Sequence, residues 1–541
     1  MTHGARLTRL VAMSALATLA CGERAAAPPG FVTVAVAVGP NNLDPRVGAD
    51  EASQRVQELI FGSLVRLDEQ LRVVPELATS WETPDPVTYV IHLRRDVRFH
   101  DGSDFDAADV VYTFSSLLSP ELVSPKKGAY RMVASVSAID RHTVRFALTE
   151  PFGSFPINLV LGIVPDGAED VSGTPIGTGP YRLVEHRPDD RLVLEAFPDY
   201  FAGLPDNAGL VLRVVPDDTM RGLELRKGTV DLVINDLAPD VVHQLARDGQ
   251  VEVTTAPGVD YQYLGINLRD PILSDVRVRQ ALAHAIDRQA IVTYLRRDLA
   301  TAAVGILPPM SWAFETDVPE FEYDPERARA LLDAAGFPDP DGEGPGSRFD
   351  LTLRTSTAEF TRLQAAIIQS QLRDVGVALR VASTEFATLY ADVLRGNVQL
   401  YSLQWVGVSD PDMLRRVFHS GQIPPVGFNR GFFEDPGVDA LLERAAVTQD
   451  EGVRKALYGA AQREIAEAVP CISLWYKTNV AVHGPDVSGL RLTPTASFGA
   501  LTDVRLARPG AEQPVAEVGR RTETSEAPAR QGATTENTGS I

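Results

Sequence analysis

One stretch, from Pro75 to Thr113, constrains this chain more than any other. It runs Pro75-Glu76-Leu77-Ala78-Thr79-Ser80-Trp81-Glu82, continues through Leu93-Arg94-Arg95-Asp96-Val97-Arg98-Phe99-His100-Asp101-Gly102, and ends in Asp109-Val110-Val111-Tyr112-Thr113. Apolar, turn-forming and charged residues follow there in an order that suits short strands, tight turns and a helix start. Residues 87–93 and 97–99 read as a hairpin around Arg95-Asp96, Asp101-Gly102 as a second turn, and 107–118 as a helix. His100 beside Asp101 suggests a catalytic dyad. Neighbours in a turn rarely meet the geometry of base and orienting acid, however, and no nucleophile motif lies near. The block specifies architecture, and His100-Asp101-Gly102 is read as a structural turn.

With 541 residues, the chain exceeds the ~250–300 at which a single core stops growing, so two or more domains are expected. A net charge of −21 argues against a nucleic-acid surface and gives no attraction to anionic lipid. Arg6 and Arg9 precede an apolar run from Leu10 to Ala20. That run is too short for a bilayer core of ~30 Å but fits a secretory signal, here residues 1–20. Thr18-Leu19-Ala20-Cys21 resembles a bacterial lipobox, with Thr18 where leucine is usual. Cys21 is thus a candidate lipidation site; secretion with cleavage near Ala20 or Ala27 is the alternative. If Cys21 carries lipid, Cys471 is left unpaired, so no disulfide framework is expected, and no zinc spacing appears.

Strand, loop and helix patterns alternate along the rest. Residues 31–38 read as a buried strand, broken at Gly39-Pro40-Asn41-Asn42, and 53–64 as a helix. Short strands are expected at 144–148, 181–184 and 192–196, the second entered from the turn Gly177-Thr178-Gly179-Pro180. Ser274 or Asp275 caps a helix carrying Val278, Leu282 and Ile286. Asp324-Pro325 starts another that stops at Gly336, while helices at 363–375 and 386–395 stop at Gly376 and Gly396. Residues 378–382 and 399–403 read as strands, so open α/β sheets are implied. Residues 509–541 carry no aromatic and no leucine and read as a disordered tail.

The block from Pro75 to Thr113 resembles the signature of the peptide/nickel-type receptors of ABC importers, extracellular solute-binding family 5. Further landmarks follow in order: Leu43-Asp44-Pro45, Gly177-Thr178-Gly179-Pro180-Tyr181, Asn267, Val276-Arg277-Val278-Arg279-Gln280-Ala281-Leu282, Tyr323-Asp324 and Asp410-Pro411-Asp412. The resemblance reaches from about residue 31 to 508. It implies an α/β, class II periplasmic-binding-protein-like fold, with two hinged lobes and a domain inserted in the first. Lobe one takes 31–63, 173–258 and 484–508, the insertion 64–172, and lobe two 259–483, with crossings near 258 and 483.

The same resemblance directs the search for a ligand site. Peptide-binding members pair the ligand's α-amine with an aspartate three residues after a tryptophan. Here Trp405 is followed at that distance by Val408, and the segment to Asp410 is one residue shorter. An ammonium against Val408 is unpaired. Asp410 either replaces the missing carboxylate or serves structure beside Pro411. Arg354 stands close to where dipeptide-binding members place a carboxylate-binding arginine, with a salt bridge as the competing role. Tyr261 and Tyr263 share one face of a strand and, with Trp405, either line the cleft or fill a core. Asn41 and Asn42 follow the first strand, where α/β ligand crevices form. Asp339, Asp341, Glu343, Ser347 and Asp350 fall at positions one, three, five, nine and twelve of a calcium-loop pattern, with Gly342 at six. Position twelve is Asp rather than Glu, and a surface loop is the alternative.

The expected protein is a receptor of the periplasm or cell surface, lipid-anchored through Cys21 and monomeric. It captures a small solute, peptide-like or other, for an ABC permease and its ATPase, with no cofactor, no covalent chemistry and no nucleic acid. A ligand sensor for a signalling partner, or a metal-chelate or haem carrier, would use the same fold.

Overall fold

The computed structural model describes residues 27–342, 344 and 346–507. The expected signal peptide, Cys21, the tail and Glu343 lie outside the described residues.

Phe31–Val36 forms β1. Val32 and Val34 are buried on one face and Thr33 and Ala35 on the other, the pattern of an interior strand in a parallel sheet. Glu51–Ile60 forms α1, whose N-cap Asp50 accepts the Ser53 N–H at 2.9 Å.

The inserted domain follows. Its strands are β2 (Ala78–Asp85), β3 (Thr88–Leu93), β4 (Val133–Asp140) and β5 (Thr143–Leu148), an antiparallel sheet in the order β2-β3-β5-β4. Packed on it is α2 (Ala107–Leu118), begun by a capping box between Asp106 and Asp109. The expected hairpin partner was wrong. Both edges of β3 are taken, by β2 and β5, so residues 97–99 have no edge to join. Val97 and Phe99 instead drop from a loop into the core of the insertion.

Lobe one resumes with β6 (Tyr181–Arg187), β7 (Arg191–Ala196), β8 (Gly209–Val214) and β9 (Leu232–Ile234). Then β10 (Glu252–Ile266) crosses into lobe two. That lobe adds α3 (Val276–Ala285), α4 (Pro325–Ala334), β11 (Phe349–Ser356), α5 (Glu359–Arg373), β12 (Val377–Thr384), α6 (Phe386–Arg395), β13 (Leu400–Trp405), α7 (Pro436–Val447) and α8 (Glu451–Ala468). The return strand is β14 (Cys471–His483).

All strands outside the insertion, apart from one peripheral ribbon of Val487–Ser488 with Arg505–Leu506, join one sheet in the order β12-β11-β13-β10-β14-β9-β1-β8-β7-β6, with Ala300–Ala302 beside β14. The two lobes therefore share β10 and β14 and nothing else in the sheet. Their pairing breaks register between Pro257 and Tyr261. Before the break, residues 252–257 ladder with 478–483; after it, Tyr261 pairs with Tyr476 and with Trp405. The second crossing thus falls near Thr478 rather than 483, because Ala481–His483 already pair with β9 of lobe one. Separate cores flank the sheet in each lobe.

The block from Pro75 to Thr113 is tied to lobe one by His100. Its ring meets the Gly179 carbonyl at 3.0 Å and the Gly177 N–H at 3.3 Å. A Cβ on Gly177 would lie 2.0 Å from the Ile60 carbonyl oxygen, so glycine is required for this turn to reach the end of α1.

Candidate ligand-binding site

The crossing from lobe one to lobe two is organised by Asp260. Its carboxylate accepts the Gly407 N–H at 3.0 Å and the Gln404 side chain at 3.1 Å, with Lys477 at 3.7 Å. Gly407 has φ +69, a conformation glycine adopts without strain. These bonds fix the loop that follows Trp405 against the hinge strand.

Tyr261 and Tyr263 point to one side of β10, as period two requires. With Trp405 they form a stacked ladder: ring centroids are 5.7 Å apart between the tyrosines and 6.3 Å between Tyr263 and Trp405, with planes within 4° and 9° of parallel. Both tyrosines are buried in the lobe-two core, and only Trp405 is half-exposed. Burial pushes the Tyr263 phenol up to about 12, so it remains a protonated donor at neutral pH.

Beyond Trp405 lies an arginine that sequence reasoning missed. Arg430 is 6% exposed. Its guanidinium carbon sits 4.3 Å above the Trp405 ring, 5.1 Å from Tyr390 and 5.4 Å from Phe428. Two terminal nitrogens donate to the hydroxyls of Tyr263 at 3.2 Å and Tyr390 at 3.1 Å. Its Nε–H has no partner, and it forms no ion pair among the described residues. A small void of about 20 Å³ opens here, walled by Tyr263, Trp405, Phe428 and Arg430. A second void, about 60 Å³, lies on the far side of Tyr261 and Cys471, lined by Phe314, Phe321 and Ile465.

The remaining expected residues are dispersed. Arg354 lies on the α6 face of β11, 3.5 Å from Asp392, and is engaged within lobe two. Val408 is buried in the lobe-two core, its N–H bonded to the Val259 carbonyl at 3.2 Å. Asn41 and Asn42 lie across in lobe one, their N–H groups donating to Ser53 Oγ at 3.0 and 3.1 Å.

Asp410 marks the seam between lobe two and the inserted domain. It accepts the Asp412 N–H at 2.8 Å, and burial together with Asp412 pushes its carboxyl up to about 6, opposed by Arg454 and Ser154. Across the seam the Gly153 N–H donates to the Ala446 carbonyl at 2.6 Å, and Arg454 donates to the Gly153 carbonyl at 3.2 Å and to Ser154.

The acidic loop is bonded to itself. Asp339 accepts the Gly342 N–H at 2.9 Å, Asp341 the Gly346 N–H at 2.9 Å, and Ser347 donates to Asp350 at 2.9 Å. Among the described residues no group of three or more His, Cys, Asp or Glu is placed to hold a metal ion.

The family model described as bacterial extracellular solute-binding proteins, family 5 Middle, matches residues 72–424. The glutathione-binding protein GsiB of Salmonella choleraesuis is 30% identical over 515 residues, covering 91% of this chain and 98% of that protein. Among solved structures, NikZ from Campylobacter jejuni in complex with Ni(L-His) has a TM-score of 0.73 at 26% identity, covering 88% of this chain and 100% of its own. AppA, the oligopeptide-binding protein of Bacillus subtilis in complex with a nonapeptide, has a TM-score of 0.71 at 26% identity, covering 89% and 100%.

Proposed function

This chain belongs to family 5 of the bacterial extracellular solute-binding proteins, and from that membership we propose that its solute is a short peptide or peptide-like molecule held beside Trp405. It is a receptor for an ABC importer and works outside the cytoplasm. Capture and release proceed by movement of the lobes, with no bond made or broken in the solute, and we assign the chain no enzymatic step. A signal peptide over residues 1–20, a lipid anchor on Cys21 and a monomeric state complete the reading. Among the described residues no helix is long and apolar enough to cross a membrane.

The observation that carries the proposal is the crossing itself. Two strands connect the lobes, their register breaks between Pro257 and Tyr261, and the half-exposed Trp405 lies level with that break. A solute on Trp405 therefore sits where a small rotation of either lobe brings the other against it. Ligand that touches both lobes in the closed form and one in the open form shifts the population toward closure by the difference in contact energy.

With Val408 folded into the core, nothing at that position can pair with a ligand ammonium. The favoured solutes are therefore ones whose α-amine is substituted, remote or left in solvent. The relative from Salmonella binds glutathione by name, a tripeptide-sized solute, and solutes of that size are the first to try. The acidic loop around Asp339 and Asp341 is assigned no ion.

A thermal-shift screen of di- to pentapeptides, glutathione and metal chelates tests the proposal. Selective stabilisation by a peptide or peptide-like solute is expected. Stabilisation by metal chelates alone would replace the peptide reading with a chelate carrier, and turnover of any hit would end the receptor reading.

A further inference from the structure

We propose that Arg430, with the hydroxyls of Tyr263 and Tyr390, is the subsite that receives the carboxylate of the captured solute; this rests on the receptor reading above.

A guanidinium removed from water without an anionic partner costs several kcal/mol unless its N–H groups and charge are answered. The other buried arginines are answered inside the protein. Arg46 grips Asp44 at 2.7 Å, and Arg279 donates to the carbonyls of Leu273, Ser274, Ala468 and Val469. Arg454 leaves its Nε unpaired too, but it bonds Gly153 and Ser154 across the lobe seam. Arg296 does likewise, with a carbonyl partner at Leu299, and neither of these lines the void. Arg430 alone among these five has only phenols for hydrogen-bond partners and a void beside it.

The aromatic faces of Trp405, Tyr390 and Phe428 offset part of the charge. They do so from above and around the guanidinium plane and accept no in-plane N–H. Two of its five donors are engaged by the phenols and the Nε–H is free, so an in-plane edge is left for a planar acceptor. A carboxylate fits that edge with parallel N–H···O bonds. Each phenol oxygen accepts from Arg430, which leaves its own proton to donate to the same anion. Trp405, Tyr390 and Phe428 are each half-exposed, so the box is open at its rim to a solute entering beside Trp405.

The same donors could take inorganic phosphate, and the experiment separates the two. Refolded, ligand-free protein is titrated calorimetrically with the tightest free-acid member of the peptide panel, with its C-terminal amide, and with inorganic phosphate. For the wild type, amidation is expected to weaken binding about thirtyfold or more, the size expected when one partner of a buried charged pair is removed. Arg430→Gln should lose a similar factor for the free acid and show no further loss with the amide. Arg430→Lys should fall between. Tyr390→Phe keeps the ring, so the box still folds, and should weaken only the free acid, by about threefold.

Equal binding of acid and amide by the wild type, or an acid preference that survives Arg430→Gln, would overturn the subsite and leave the receptor intact. Phosphate competing as well as the free acid would reassign the box to a free inorganic anion. If no peptide binds the wild type, the peptide reading itself fails and takes the subsite with it.

Discussion

The Tyr89 hydroxyl, in the inserted domain, lies 3.0 Å from the side-chain nitrogen of Gln449 in lobe two, 360 residues further along the chain. With the Gly153–Ala446 bond and the ion pair of Arg72 with Glu451 at 3.3 Å, it makes the inserted domain a clasp between the lobes. The insertion is thus part of the closing surface as well as a support for lobe one.

Tyr89→Phe is expected to loosen the clasp without touching the ligand. One part-buried hydrogen bond contributes about 0.5–1.5 kcal/mol net, so solute affinity should fall roughly threefold to tenfold by calorimetry. The ring stays in the insertion core against Phe155, but the hydroxyl's bond to the Phe152 carbonyl at 2.9 Å is lost as well, so the ligand-free protein should lose about 0.5–1.5 kcal/mol of stability. Unchanged affinity would mean that the insertion does not take part in closure.

His100 contributes to the pH dependence of the link between the insertion and lobe one. Its burial lowers the imidazole to about 4, against the partly compensating Gly179 carbonyl. In the unfolded chain a histidine titrates near ~6.5. The folded value is depressed, so the unfolded state takes up the proton first. The His100 contribution is full above pH ~6.5 and is lost as pH falls from there toward about 4. His100→Gln should cost about 1–2 kcal/mol at pH 7.5 and flatten the loss of stability between pH 6.5 and 4.5, as read by thermal unfolding. A variant that keeps the wild-type slope would assign that slope to other groups.

Val408 leads to a prediction about the solute. N-acetylation of the tightest peptide ligand should change its affinity by less than about threefold, since no buried carboxylate pairs with its ammonium at that position. A loss of a hundredfold would reveal an amine partner elsewhere, with Asp410 the first to mutate.

Local structure was legible where a local rule decides it. The helix Phe386–Arg395 stops at Gly396, whose φ of +76 few other residues adopt. Period two set Tyr261 and Tyr263 on one face, though it could not say that this face is a core. Edge availability is a property of the whole sheet, so the hairpin partner of Thr88–Leu93 was misread: Ala78–Asp85 shows no alternation because it is largely exposed. Arg354 falls on the α6 side of its strand, where Asp392, 38 residues further along the chain, takes its charge. Arg430 was not legible as a site residue. Its partners Tyr263, Tyr390 and Trp405 lie 167, 40 and 25 residues before it, and only the folded lobe brings them together. The only trace in the sequence is an arginine inside a loop rich in glycine and proline.

Whether a solute beside Trp405 draws the lobes together is read by small-angle X-ray scattering of refolded, ligand-free protein. On titration with the tightest ligand of the peptide panel, the radius of gyration should fall and level off at one solute per chain, and Trp405→Ala should abolish the change at the same concentrations. Saturable binding with no change in radius would contradict closure.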